Sequence, residues 1–241
     1  TSVLYFFVFF CIFLCVDLAE LRPHTKKIIL FDFHSEFHVG VEEKTISMTS
    51  DPNFNPLSGN PSSGNASSGH NVNPAEIHRL IRSRRSTKPM LFNGQLIDDA
   101  IIWEILEDAN WAPTNGLTQP WRFKVFTGTS REKLAVFQSD LYKELTPPES
   151  FSPDKYRRLK ENVLRASHVI VLCMKRQDSG TIPEVEEIEA LACSVQNMAL
   201  AATAYGICSF WGSGGVTYKP ELKEFLGLGE QERCLGYLYL G

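Results

Sequence analysis

From residue 75 onward, apolar positions recur alternately with a helical and an extended rhythm. AEIHRLIRSRR places Ile77, Leu80 and Ile81 on one helical face, and LIDDAIIWEILEDANWA repeats the pattern with Ile97, Ile101, Ile105 and Trp111. RFKVFTG alternates as a short strand does, and SREKLAVFQSDLYKEL follows as a third helix with Ser130 expected as its cap. The proline-rich TPPESFSP interrupts the chain before a charged helix, DKYRRLKENVLRAS. HVIVLCMK is apolar almost throughout, which suits a strand covered on both faces.

Thr181-Ile-Pro-Glu184 has the spacing of a capping box with Pro in the first helical turn, and Glu184, Glu186, Glu187 and Glu189 crowd the positive end of the helix dipole. The helix they open is expected to run to about Tyr205, rich in alanine and buried on much of its circumference, with Gly206 as its stop. ICSF then reads as a strand, WGSGG as a glycine turn, PELKEFLG as a short helix and CLGYLYLG as a final strand. Six helices and four strands in this order predict a mixed sheet flanked by helices, with a long central helix.

The first 73 residues break the rhythm. Val3 to Val16 are uncharged and apolar, a length that suits the core of a signal peptide better than a membrane span of about 20 residues. The positively charged start of a signal peptide is absent and Met48 opens a more ordinary beginning, so residues 1–22 are read as a signal-like segment or as a translation artefact. Residues 23–73 are read as a flexible low-complexity linker. Between Asp51 and Pro74 they are mostly Ser, Asn, Gly and Pro, which bury too little apolar surface to offset their ordering entropy. The folded domain is therefore assigned to residues 74–241.

Charge and composition narrow the chemistry. A net charge of −4 without a basic block leaves no electrostatic footprint for nucleic acid. The six cysteines form neither a Cys-x-x-Cys pair nor a zinc spacing, and those of the body are expected as small buried hydrophobes. The histidines are scattered, and no metal site is expected. No Walker loop, G-x-G-x-x-G, G-x-S-x-G or Ser-His-Asp signature occurs, so any reaction is left to a cofactor, with the protein supplying binding and orientation.

Three stretches then stand out. Arg82-Ser83-Arg84-Arg85-Ser86-Thr87-Lys88 joins cations to hydroxyls, a set that matches phosphate oxygens but also describes an ordinary basic helix end. Trp211-Gly212-Ser213-Gly214-Gly215 offers an aromatic ring and flexible backbone donors, or a plain turn. WAPTNGLTQPWRF, residues 111–123, is a proline-bounded turn feeding a strand, with two indoles and a guanidinium around Thr114-Asn115-Gly116.

Taken in order, these motifs resemble the nitroreductase family of FMN-dependent oxidoreductases, in its small single-domain NAD(P)H nitroreductase subgroup. Arg84-Arg85-Ser86 is similar to the family's R-R-S, residues 112–123 to its A-P…[QE]-P-W-x-F block, and YGICSFWGSGG and LGYLYLG to its closing strands. The resemblance covers residues 75–241 and implies an α+β fold with a mixed, mostly antiparallel sheet, in a homodimer with FMN sites at the interface. It further implies that Arg84, Arg85 and Ser86 hold the FMN phosphate and ribityl end, that Trp211, Gly212 and Ser213 line the flavin, and that Asn115 reaches the partner's FMN. NAD(P)H would give hydride to flavin N5, with no catalytic side chain, and a nitroaromatic or quinone-type acceptor would collect it in ping-pong order. Two departures accompany the likeness: many relatives have His or Gly where Asn115 stands, and they continue past the Leu-Gly at which this chain stops, so the domain is expected to be truncated at its C-terminus. Reductive dehalogenation and non-catalytic flavin binding remain as alternative functions. The expected location is cytoplasmic, without a membrane role for the folded domain.

Overall fold

A computed structural model describes residues 72–241, together with two upstream strands, β1 (Thr25–Phe31) and β2 (Val41–Ser47). The apolar segment 1–22 and the Ser/Asn-rich stretch 51–71 lie outside the described residues. Both strands fall inside the range 23–73 read from the sequence as linker. The composition behind that reading begins only at Asp51, whereas the first strand carries the apolar run Ile28 to Phe31.

After Pro74 the elements follow the expected order: α1 (Pro74–Ser83), α2 (Asp99–Ala109), β3 (Trp121–Phe126), α3 (Gly128–Leu145), α4 (Pro153–Arg165), β4 (His168–Lys175), α5 (Glu184–Ala204), β5 (Ser209–Gly212), α6 (Pro220–Phe225) and β6 (Glu232–Leu240). β3 and β4 are antiparallel, as are β4 and β6, and β5 and β6. Ile29 to Phe31 pair in parallel with Lys124 to Phe126, so the sheet is mixed and mostly antiparallel in an α+β fold. Val169 to Met174 of β4 are fully buried, as an apolar run between two helical layers requires. On one side Val169, Val171 and Cys173 pack with Leu134 of α3, Val163 of α4 and Leu222 of α6. On the other side α5 lies against β3, β4 and β5, with α1 and α2 packed on it. Among the described residues no helix is long and apolar enough to cross a membrane.

Local chemistry moves several boundaries. α2 starts at Asp99, three residues after the pattern begins, because Asp98 caps it by accepting from Ala100 N–H at 2.9 Å. Trp111 lies beyond the helix end and is 59% exposed. At α3 the cap is Thr127; Ser130 occupies the third helical position and its hydroxyl accepts from Thr127 N–H at 2.9 Å. The capping box expected from Thr181 and Glu184 does not form: Pro183 precedes the helix and Thr181 turns toward Ser179. The Glu184 carboxylate goes instead to Arg233 at 2.5 Å and Arg176 at 3.6 Å. Of the body's cysteines, Cys173 and Cys234 are buried opposite one another on β4 and β6, but Cys193 and Cys208 are exposed.

α1 buries no residue at all, leaving Ile77 41% and Ile81 51% exposed on its apolar face. A polar chain, buried at Ser167 and His168, ties the start of β4 to the entry of α2: Ile97 N–H donates to Ser167 Oγ at 2.8 Å, Ser167 Oγ lies 3.0 Å from His168 Nδ1, and His168 Nε2 lies 2.9 Å from Asp99 Oδ1. Neutral His168 with its proton on Nε2 satisfies every one of these contacts. Ser167 is 3% exposed, so this Ser-His-Asp chain serves the fold and offers no nucleophile to a substrate.

Candidate functional site

β5 and the turn after it hold the first group of expected site residues. Trp211 is 42% exposed, and its indole lies over Gly236 on the neighbouring β6. Any Cβ at Gly236 would sit 2.6 Å from Trp211 Nε1 and 2.8 Å from Gly212 O, and the backbone there has φ +144°. The register of β4 against β6 slips beside it, between Leu172 and Cys173. This glycine therefore makes the seat for the indole. Gly215 plays a similar part in the turn: φ is +72°, and a Cβ would meet Leu159 Cδ2 of α4 at 2.7 Å. Thr217 closes the turn by donating to Gly214 O at 2.8 Å.

The Arg84-Arg85-Ser86 stretch arrives at the start of the same strand. Arg84 caps α1 through its N–H to Leu80 O, Ser86 forms a parallel bridge with Ser209, and Thr87 N–H donates to Ser209 O at 2.9 Å. Two sequence features more than a hundred residues apart thus become neighbours. Arg85 turns back on its own helix end, donating from Nη1 to Arg82 O at 2.6 Å and to Arg84 O at 3.0 Å.

A cleft of about 800 Å³ opens between the Trp211–Gly215 turn and α4. Trp211, Gly212 and Ser213 line it, with Phe210 and Tyr239 beside them. Lys88, Lys155, Arg157, Arg158 and Arg165 form its cationic wall. Arg84, Arg85, Ser86 and Asn115 are not among its lining residues. Another cleft, about 400 Å³ between the ends of β4 and β6 and the start of α6, contains none of the expected site residues.

Asn115 belongs to a different corner. It opens a single helical turn, Asn115–Leu117, and donates from Nδ2 to Glu186 Oε2 of α5 at 2.8 Å. Leu117 and Gln119 both take left-handed backbone conformations, φ 54° and 44°, unusual for residues with side chains. Arg122 holds that strained turn by donating to Gln119 O at 3.1 Å and to Trp121 O at 2.7 Å. Trp121 is 4% exposed and donates to Asn110 Oδ1 at 3.0 Å, so the second indole anchors the strand in the core. Below the turn, Arg176 pairs with Glu187 at 2.6 Å and donates to Ile182 O at 2.9 Å. Strain kept in place by so many contacts points to a positioned turn.

Sequence reasoning did not single out Gly236, Leu159 or the cations of α4. Gly236 carried a readable sign, as a lone glycine inside an otherwise apolar strand. Lys155, Arg158, Asn162 and Arg165 follow a 3-4-3 spacing, which puts one stripe of the helix toward the cleft.

All three motifs lie within the range matched by comparison with known proteins. A model described as the nitroreductase family matches residues 81–241. "Putative NAD(P)H nitroreductase YdjA" of Escherichia coli (strain K12) is 32% identical over 138 residues, covering 57% of this chain and 73% of that protein. The nitroreductase-like family protein from Bacillus cereus superposes with a TM-score of 0.57 at 29% identity, over 68% of this chain and 84% of its own. The FMN-dependent nitroreductase NfnB from Mycobacterium smegmatis, solved in complex with NADPH, gives a TM-score of 0.56 at 21% identity, over 70% and 87% of the two chains, a likeness of fold.

Proposed function

Because the chain belongs to the nitroreductase family, we propose that it is an FMN-dependent oxidoreductase that takes hydride from NAD(P)H and reduces nitroaromatic or quinone-type acceptors in ping-pong order. The observation that carries this reading is the Trp211–Gly215 turn. Glycines at 215 and 236 hold it open beside a cleft large enough for a planar cofactor or substrate, and Ser86 bridges to its strand.

The residues present suit FMN chemically. Trp211 offers an exposed ring face, Ser213 and the glycine backbone offer neutral donors, and Arg84 and Arg85 bring charge to the adjoining strand end. In this assignment Trp211, Gly212 and Ser213 line the flavin, while Arg84, Arg85 and Ser86 hold the phosphate and ribityl end by charge-assisted hydrogen bonds. Bound there, FMN would supply the two-electron relay between reductant and acceptor. The chain's own part is to bind and orient the rings and to keep water from them.

A homodimer completes the assignment. Ile77 and Ile81 on α1, and Leu117 beside Asn115, expose apolar surface that a second copy would cover. Asn115 would then reach the FMN of the other protomer, on a turn whose position Glu186 and Arg122 set. The purified protein is expected to be a yellow dimer whose flavin absorbance bleaches anaerobically with NADH or NADPH and returns when a nitroaromatic or quinone is added. Protein that stays colourless after incubation with FMN would overturn the reading. Protein that binds FMN but never bleaches would be a flavin-binding protein without reductase activity.

A further inference from the structure

The cleft beside the glycine turn carries more positive charge than building the turn requires. Five cations line it, Lys88 from the segment after α1 and Lys155, Arg157, Arg158 and Arg165 from α4. Only Asp154 and Glu161 oppose them, in a chain whose net charge is −4. Asp154 already neutralises Arg157 at 2.7 Å. Lys155 lies over the Tyr142 ring, 4.5 Å from its centroid. Among the described residues Lys88, Arg158 and Arg165 have no ion-pair partner, although three like charges around one concavity repel one another.

α4 cannot simply swing these charges away. Its Val163 is fully buried in the core, and its Leu159 packs against Gly215, where a Cβ would come within 2.7 Å of the leucine side chain. The basic stripe is therefore held at the mouth of the turn, facing Trp211, Phe210 and Tyr239. One wall is aromatic and the other cationic. A ligand that satisfies both has a planar ring and an anionic substituent a few ångströms from it.

We propose that this cleft selects anionic aromatic electron acceptors, nitro- or quinone-type rings bearing a carboxylate, with Arg158, Arg165 and Lys88 recognising the anion. The ring would lie in the cleft against the flavin that the proposed function places along the Trp211–Ser213 edge, and the inference rests on that reading. A neutral acceptor of the same shape gains the aromatic contact only. The carboxylated one adds a charge-assisted pair, which in a partly enclosed cleft amounts to about tenfold in affinity and is screened by salt.

The test compares 4-nitrobenzoate with its neutral isostere 4-nitrobenzamide, by equilibrium dialysis against the FMN-treated protein and by kcat/KM. The benzoate is expected to bind about tenfold more tightly in 20 mM salt and nearly equally in 500 mM, the range over which such pairs are screened. The double variant Arg158→Gln, Arg165→Gln should erase the preference in both measurements. Equal binding of the two compounds, or a preference that survives in the variant, overturns the proposal. So does a variant that keeps the preference but loses FMN affinity, which would give the cations to the cofactor phosphate. A variant that keeps it but raises KM for NADPH and not for NADH would give them to the reductant and equally overturns it. Dialysis needs no turnover, so an absence of NAD(P)H bleaching would strike the proposed function while the binding preference is still read.

Discussion

Two groups of cations in this protein meet opposite fates. At the start of α5, Arg176 and Arg233 face Glu184 and Glu187 at 2.5–3.6 Å, and the Glu187 carboxylate is 1% exposed. Around the glycine turn, Lys88, Arg158 and Arg165 line a cleft, and among the described residues no acid is paired to them. The first group closes on itself and tethers a helix to the ends of two strands. The second is held open by Leu159 on Gly215, so its charge is left for something outside the chain. Similar residue types therefore serve architecture in one place and recognition in the other, and the presence of buried counter-charges decides which.

The sharpest way to break this contrast is to remove one partner from the closed group. Arg176→Ala leaves the Glu187 carboxylate buried without its cation and should cost about 3–5 kcal/mol, read from urea denaturation. The double variant Arg176→Ala, Glu187→Gln should recover a large part of that loss, whereas Arg158→Ala at the open cleft should stay within about 0.5 kcal/mol of the parent. If Arg158→Ala proved as damaging as Arg176→Ala, the cleft cations would be structural after all.

Arg84 belongs to neither group: it ends α1 and does not line the cleft. Arg84→Ala should weaken FMN by about 1.5–3 kcal/mol, roughly ten- to hundredfold in a fluorescence titration, with thermal stability kept. Unchanged affinity would move the phosphate away from this residue. Gly236→Ala tests the aromatic wall: its methyl group collides with Trp211, so a loss of about 1–3 kcal/mol is expected together with a shift in tryptophan emission. A variant with parental emission and stability would show that the indole is not seated there.

The smallest effect concerns pH. Burial lowers the His168 pKa below its usual value of 6.5 and outweighs the hydrogen bond to Asp99, with the Arg131 charge acting in the same direction. The unfolded chain therefore binds the proton more readily than the folded one. This contribution to stability is complete above pH 6.5 and falls away as the pH drops toward the folded value. Urea midpoints measured at pH 7.5 and 5.5 should differ for the parent in that sense, and the difference should shrink in His168→Gln. A parent midpoint that rises on acidification would show that the Asp99 pairing dominates instead.

Much of the fold was legible because its elements announce themselves locally. β4 is an unbroken apolar run, α5 follows a helical period over six turns, and the order of ten elements after Pro74 follows from such patterns. Helix ends were less legible. Thr181 and Glu184 have the capping spacing, yet Arg176 and Arg233 compete for the carboxylate, and a local motif does not reveal a distant cation. Cys193 and Cys208 sit in apolar surroundings in sequence but outside the core in space. The candidate site was partly legible: the Arg84–Ser86 and Trp211–Ser213 stretches could be named, but not the bridge from Ser86 to Ser209 that joins them.

Within residues 74–241 the amino-acid sequence by itself determined which segments are helices and strands and which short stretches carry aromatic, basic and glycine chemistry, since each depends on neighbours a few residues apart. Only the tertiary structure decided that Asn115 is bound to Glu186 in a strained corner, that the two glycines 215 and 236 seat Leu159 and Trp211, and that the cations of α4 face the same cleft as the glycine turn. These are contacts between residues distant in sequence. Their existence depends on how the helices pack on the sheet, and the spacing within any one segment does not contain that information.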